Sequence, residues 1–136
     1  MSEHQRTLIG YRMERARSTL QDALLLRAQG GSIWSVVNRA YYGMFYATLA
    51  LLLHIGQSSS RHSGVIRLFD QHYIRTGKLP AEMSRWLHRA FELRQMGDYH
   101  ETAELEEEQV QLLLQQAEQF IRLADEYLSA QEQSRE

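Results

Sequence analysis

The chain has 136 residues, 43% of them hydrophobic and 24% charged, which fits one globular domain and excludes a disordered chain. A formal net charge of -2 gives no global basic signature, so any nucleic-acid binding has to come from a local patch. With no cysteine, a disulfide framework, a zinc–thiolate site and a cysteine nucleophile are all excluded.

The first ten residues, MSEHQRTLIG, lack the apolar core of a signal peptide. The most apolar run, Tyr41 to Ile55, contains glycine and is too short to span a bilayer. The expectation is a cytoplasmic protein with no membrane partner. One proline and the lack of sustained period-two alternation predict helices and essentially no sheet.

A first helix is predicted over residues 3–28, where Ile9, Met13, Ala16, Leu20, Ala23 and Leu24 recur at steps of three and four. Gly30-Gly31 ends it. A second helix starts with Ser32 as N-cap and reaches about Ile55. It is apolar on most sides, the mark of a central bundle helix. Ala40, Gly43, Ala47 and Ala50 add a small-residue stripe. Glycine inside a helix costs about 1 kcal/mol relative to alanine, so Gly43 points to a close backbone approach.

A third helix is predicted from Arg61 to Thr76, with Ser60 as cap and Val65, Leu68, Phe69 and His72 or Tyr73 inward. Gly77 ends it, and Pro80 suits the first turn of a fourth helix. That helix carries Met83, Trp86, Leu87, Ala90, Phe91 and Leu93 and is expected to fail at Gly97. A fifth helix is predicted from Thr102 to about Ala130, with Glu104, Glu106, Glu107 and Glu108 favourably placed near its amino end. Five helices with short connections predict an all-α, up-and-down bundle. The single domain takes in residues 1–136, with a core of about 5–130 and a frayed tail, SAQEQSRE.

The stretch RQMGDYHE, Arg94 to Glu101, interrupts this pattern. Arg94 borders the apolar stripe of its helix, and a lone charge there is costly to desolvate. It is either one half of an ion pair, with Asp98 at i+4 or a carboxylate on another helix, or the anchor of an anion site in a cleft. His100 follows just ahead of the fifth helix. An arginine and a histidine beside a helix N-terminus suffice for metal-independent RNA cleavage: the histidine moves the proton and the arginine stabilises the phosphorane. Against that, a loop histidine beside several glutamates is also an ordinary exposed residue.

Arg39 interrupts the second helix in NRAYYGMFYA, where Asn38, Arg39, Tyr42 and Tyr46 form a polar and aromatic face. They are either edge-facing packing residues or part of a network with Arg94 and Asp98. The histidines form no HExxH and no repeated Glu-x-x-His, so neither a metal nor another cofactor is expected.

NRAYYGMFYATLALLL, SRHSGVIRLFDQHYIRTGKLP and RQMGDYH, in that order, resemble the HEPN-domain superfamily, closest to its small, single-domain prokaryotic branch associated with toxin–antitoxin systems. The matching residues are Arg39-Ala40-Tyr41-Tyr42, His62 and Arg94 with Asp98-Tyr99. The resemblance covers about residues 5–130. It implies a helical bundle that homodimerises and a partner of the nucleotidyltransferase type acting as antitoxin. Many members are ribonucleases that use an arginine, four to six residues, then a histidine. Arg94 and His100, with five residues between them, fit the rule. The implied catalytic pair is Arg94 and His100, supported by Asp98 and Tyr99, with Arg39, Tyr42 and His62 as a binding or structural network. The alternative is a non-catalytic interaction module that binds a nucleotide or the nucleotidyltransferase partner.

Overall fold

A computed structural model describes residues 1–99 and 104–135. Five helices account for most of them: α1 (Glu3–Ala28), α2 (Ile33–His54), α3 (His62–Phe69), α4 (Ala81–Tyr99) and α5 (Glu107–Ser134). No strand occurs among the described residues. The fold is the predicted all-α bundle.

Helix α2 is the centre. It packs against α1 along much of its length and also touches α3, α4 and α5. Its apolar surface explains this position, since Val36, Val37, Ala40, Tyr41, Met44, Ala47 and Leu51 are fully enclosed. The small-residue stripe does what its composition suggests. A Cβ on Gly43 would stand 3.3 Å from the Ala16 carbonyl oxygen and 3.5 Å from the Leu20 nitrogen, so α1 lies close against α2 at this point.

Several boundaries depart from expectation, each for a local reason. Helix α3 starts at His62 with Arg61, not Ser60, in the capping position. The third segment does not continue as α-helix to Thr76. After Phe69 it widens into a π-helical turn, Asp70–Ile74, which keeps Tyr73 fully buried while His72 stays at the edge. The Tyr73 hydroxyl donates to the Leu51 carbonyl and so ties the turn to α2. Gly77 at φ 74° closes the segment. Pro80 sits just ahead of α4 rather than inside it, its carbonyl accepting from the Met83 amide at 3.1 Å.

Helix α4 does not fail at Gly97 but runs through it to Tyr99. The glycine is there for space, because a Cβ would stand 2.8 Å from Cε3 of Trp34 on α2. The start expected at Thr102 lies outside the described residues, and α5 begins at Glu107. A capping box sets that start: the Glu106 side chain accepts from the Gln109 amide, and the Gln109 side chain accepts from the Glu106 amide at 3.1 Å. The tail expected to fray beyond Ala130 is helical as far as Ser134.

Candidate functional site

The carboxy-terminal part of α4 crosses the amino-terminal half of α2, and a cleft of about 460 Å³ opens between them. Trp34, Asn38 and Arg39 line it from α2; Arg94, Gly97 and Asp98 line it from α4. On α2, Trp34 and Asn38 lie one turn apart on one face and Arg39 on the neighbouring face, so polar groups border the cleft on an otherwise apolar helix. The cleft holds two guanidinium groups and one carboxylate, a local excess of positive charge in a chain whose net charge is negative.

Arg94 is three-quarters buried. Its Nε faces Asp98 Oδ2 across 3.5 Å, an ion pair without the geometry of a hydrogen bond. The guanidinium carbon lies 5.6 Å from the centre of the Tyr41 ring and 5.4 Å from that of Tyr42. Arg39 approaches Tyr42 too, with its carbon 5.3 Å from the ring centre, while its Nε and Nη2 donate to Asn38 Oδ1 at 3.1 and 2.8 Å. The negative π-face of Tyr42 thus offsets part of the repulsion between the two arginines. The same ring contacts keep both cations at the cleft.

His62, the first residue of α3, closes the network from behind. Its ring stacks on Phe45, centroids 4.3 Å apart. Its Nδ1 lies 2.7 Å from the Tyr41 hydroxyl and 3.4 Å from Arg94 Nη1. An arginine can only donate, so Nδ1 must carry a lone pair and the ring proton sits on Nε2. That assigns a neutral imidazole. Burial, and secondarily the positive charge of Arg94, push the pKa of His62 below its usual value. Burial pushes that of the Tyr41 hydroxyl up, against an opposing pull from Arg94, so the hydroxyl stays protonated and able to donate.

The structure therefore joins Arg39, Tyr42, His62, Arg94 and Asp98 at one place. Tyr99 stands apart, 78% exposed. His100 lies outside the described residues. Arg94 pairs with Asp98 at i+4 and also lines a cleft. Two participants are not evident from the sequence. Tyr41 reads as core, and nothing in its spacing reveals that its buried hydroxyl finds His62. Trp34 does carry a signal, since it lies one turn before Asn38 on the same helical face. Among the described residues no cluster of three or more His, Asp or Glu side chains could hold a metal ion. No described helix is long and apolar enough to cross a membrane.

Comparison with known proteins agrees with this architecture. A "UPF0332 protein" of Thermotoga maritima is 44% identical over 84% of this chain and 86% of its own length. Another of that name, from Gloeobacter violaceus, is 40% identical over 86% of this chain and 93% of its own. A Methanocaldococcus jannaschii protein bearing the name "Putative toxin" is 36% identical over 68% of this chain and 63% of its own. The profile of the HEPN domain family matches residues 9–127, and the chain belongs to that family.

Proposed function

We propose that this HEPN protein is a toxin-type endoribonuclease whose cleft binds a phosphodiester of RNA. The observation that carries the reading is Arg94: a mostly buried arginine, joined by Arg39, in a cleft with a single carboxylate. Two guanidiniums in a partly dehydrated cleft suit a phosphate, whose oxygens match the planar N–H fork. The name of the Methanocaldococcus jannaschii relative supports a toxin role. In this mechanism Arg94 stabilises the charge that builds on the phosphorane. His100 takes the 2′-hydroxyl proton or protonates the leaving oxygen. Asp98 orients Arg94, and the neutral His62 with Tyr41 holds it from behind. A homodimer would bring two such sites together, and a nucleotidyltransferase-type antitoxin would be the regulating partner.

The Asp98 ion pair favours a second reading, in which Arg94 is structural and the protein is a non-catalytic module that binds a nucleotide or that partner. Cleavage of single-stranded RNA in EDTA separates the two. The ribonuclease reading expects cleavage by wild type and losses of about a hundredfold or more for both His100→Ala and Arg94→Ala. Undiminished cleavage by His100→Ala removes that residue from the mechanism. No cleavage by wild type leaves the binding module.

A further inference from the structure

We infer a second phosphate subsite on the other side of His62, where Arg67, Arg75 and His88 surround a pocket between the π-helical turn and α4, and its ligand is a phosphodiester of the same RNA strand that enters the Arg94 cleft. This rests on the reading of that cleft as an RNA site. The pocket encloses about 240 Å³. Arg67, Arg75, His88, Ser63 and Asp70 line it together with the apolar Ile66 and Phe91.

Three observations carry the assignment. First, neither Arg67 nor Arg75 makes an ion pair or side-chain hydrogen bond among the described residues, whereas Arg85 and Arg89 on α4 are paired with Glu82 at 3.2 Å and Glu92 at 3.6 Å. Both unpaired arginines are exposed and border the same pocket. Second, the acidic residue in the pocket is already occupied. Asp70 accepts from Ser84 Oγ at 2.6 Å and lies 2.7 Å from His88 Nε2, which holds that imidazole in place and blunts the carboxylate's repulsion of an anion. Third, the pocket adjoins the Arg94 cleft. His62 has its Nδ1 3.4 Å from Arg94 Nη1 and its ring centre 6.3 Å from that of Phe91, and Ser63, which follows it in sequence, lines the pocket. His88 and Arg94 are six residues apart on one helix, about 9 Å along its axis and about 120° around it, so a strand reaching both would wrap partly around α4.

The charge distribution fits. Residues 61–95 contain seven Lys or Arg and three Asp or Glu, a net +4, so the remainder of the chain carries -6. The overall charge of -2 conceals a basic stretch that contributes to both pockets. A strand anchored at two points also explains how a cleft with one carboxylate among its arginines would favour an oligonucleotide over a single nucleotide.

The test is binding of a short, fluorescein-labelled, single-stranded 2′-O-methyl RNA, which cannot be cleaved through its 2′-oxygen, by fluorescence anisotropy over a range of salt. Wild type is compared with the exposed double variant Arg67→Gln/Arg75→Gln, whose melting temperature should be unchanged. The expected result is a loss of affinity of about tenfold or more. The plot of log affinity against log salt should flatten by about 0.7 for each phosphate that the variant no longer engages. Competition by AMP at the Arg94 cleft should stay as in wild type. The same affinity and slope in the double variant, or no RNA binding by wild type, overturns the subsite. Polyglutamate competing with wild type as well as RNA does so too, pointing to an acidic protein surface instead. If Arg67→Gln/Arg75→Gln weakens binding while Arg94→Gln binds as wild type and wild type cleaves no RNA, the reading of the Arg94 cleft falls and with it the strand shared between the two sites, which overturns the subsite as part of that cleft and leaves Arg67 and Arg75 as an RNA contact of their own.

Discussion

An imidazole that accepts from a tyrosine and an arginine at Nδ1 cannot be protonated there without reversing the first bond and losing the second, since an arginine cannot accept. In His62 the consequence extends to the cleft, because a proton on Nδ1 would also place a cation 3.4 Å from Arg94 Nη1. Burial first, and Arg94 second, hold its pKa below the ordinary 6.5. In the unfolded chain the ring protonates around that ordinary value; in the fold it does so only at lower pH. Between the two the unfolded state binds more protons, so stability falls as the pH drops below about 6.5, and the loss is complete below the folded pKa. His54 is shifted the same way, by burial and then by Lys78, so part of any acid sensitivity belongs to it. His62→Asn keeps an acceptor close to where Nδ1 stands and does not titrate. Its melting temperature should therefore fall less than that of wild type between about pH 7 and pH 5. Parallel curves for the two proteins would show that His62 does not couple protonation to folding.

At the scale of the helix, Gly97 shows how one residue can be read correctly as special and wrongly as to why. In a sequence, glycine near the end of a periodic stretch signals a stop. Here α4 continues through it, and what requires glycine is the Trp34 ring lying 2.8 Å from the place of a Cβ. Alanine in a helix is favoured over glycine by about 1 kcal/mol, so Gly97→Ala would be stabilising if α4 stood alone. Against the Trp34 ring it should instead destabilise by about 1–2 kcal/mol, since the ring must move. With Trp34→Ala in the background the clash disappears, and the same substitution should stabilise. Thermal melts of the four proteins form a double-mutant cycle with a coupling of about 2 kcal/mol. Additive effects would mean that Trp34 does not hold α4 at the cleft. The π-helical turn is hidden from the sequence for a related reason. Within it Tyr73 is buried and bonds to α2, a contact between segments that no local pattern in Asp70–Ile74 announces.

Across the whole molecule, what the sequence reveals and what it hides divide along the same line. Helix existence and the central place of α2 follow from apolar spacing, which is a property of each segment. The cleft is a property of two segments: Arg39 and Arg94 can each be marked as out of place on an apolar helix, but their meeting across Tyr42 depends on how α2 and α4 cross. That crossing depends in turn on α2 being held on its opposite side by α1, at Gly43. The contact can be tested by size. Gly43→Ala puts a methyl 3.3 Å from both the Ala16 carbonyl oxygen and Ile121 Cδ1, a tight approach that the gain in helix propensity offsets, so the change should lie within about 1 kcal/mol. Gly43→Leu has no space to fill between α1 and α5 and should cost about 3 kcal/mol or more, a large share of the roughly 5–15 kcal/mol that holds a domain together. Urea midpoints with an unchanged dependence on denaturant are the measurement. Because α1 would be levered off α2 one turn beyond Arg39, weakened RNA binding by the leucine variant under conditions where it remains folded would show that the α1–α2 packing sets the position of Arg39. A leucine variant as stable as wild type would show that α1 can move away from α2 without loss, and that the close approach at Gly43 does not fix the bundle.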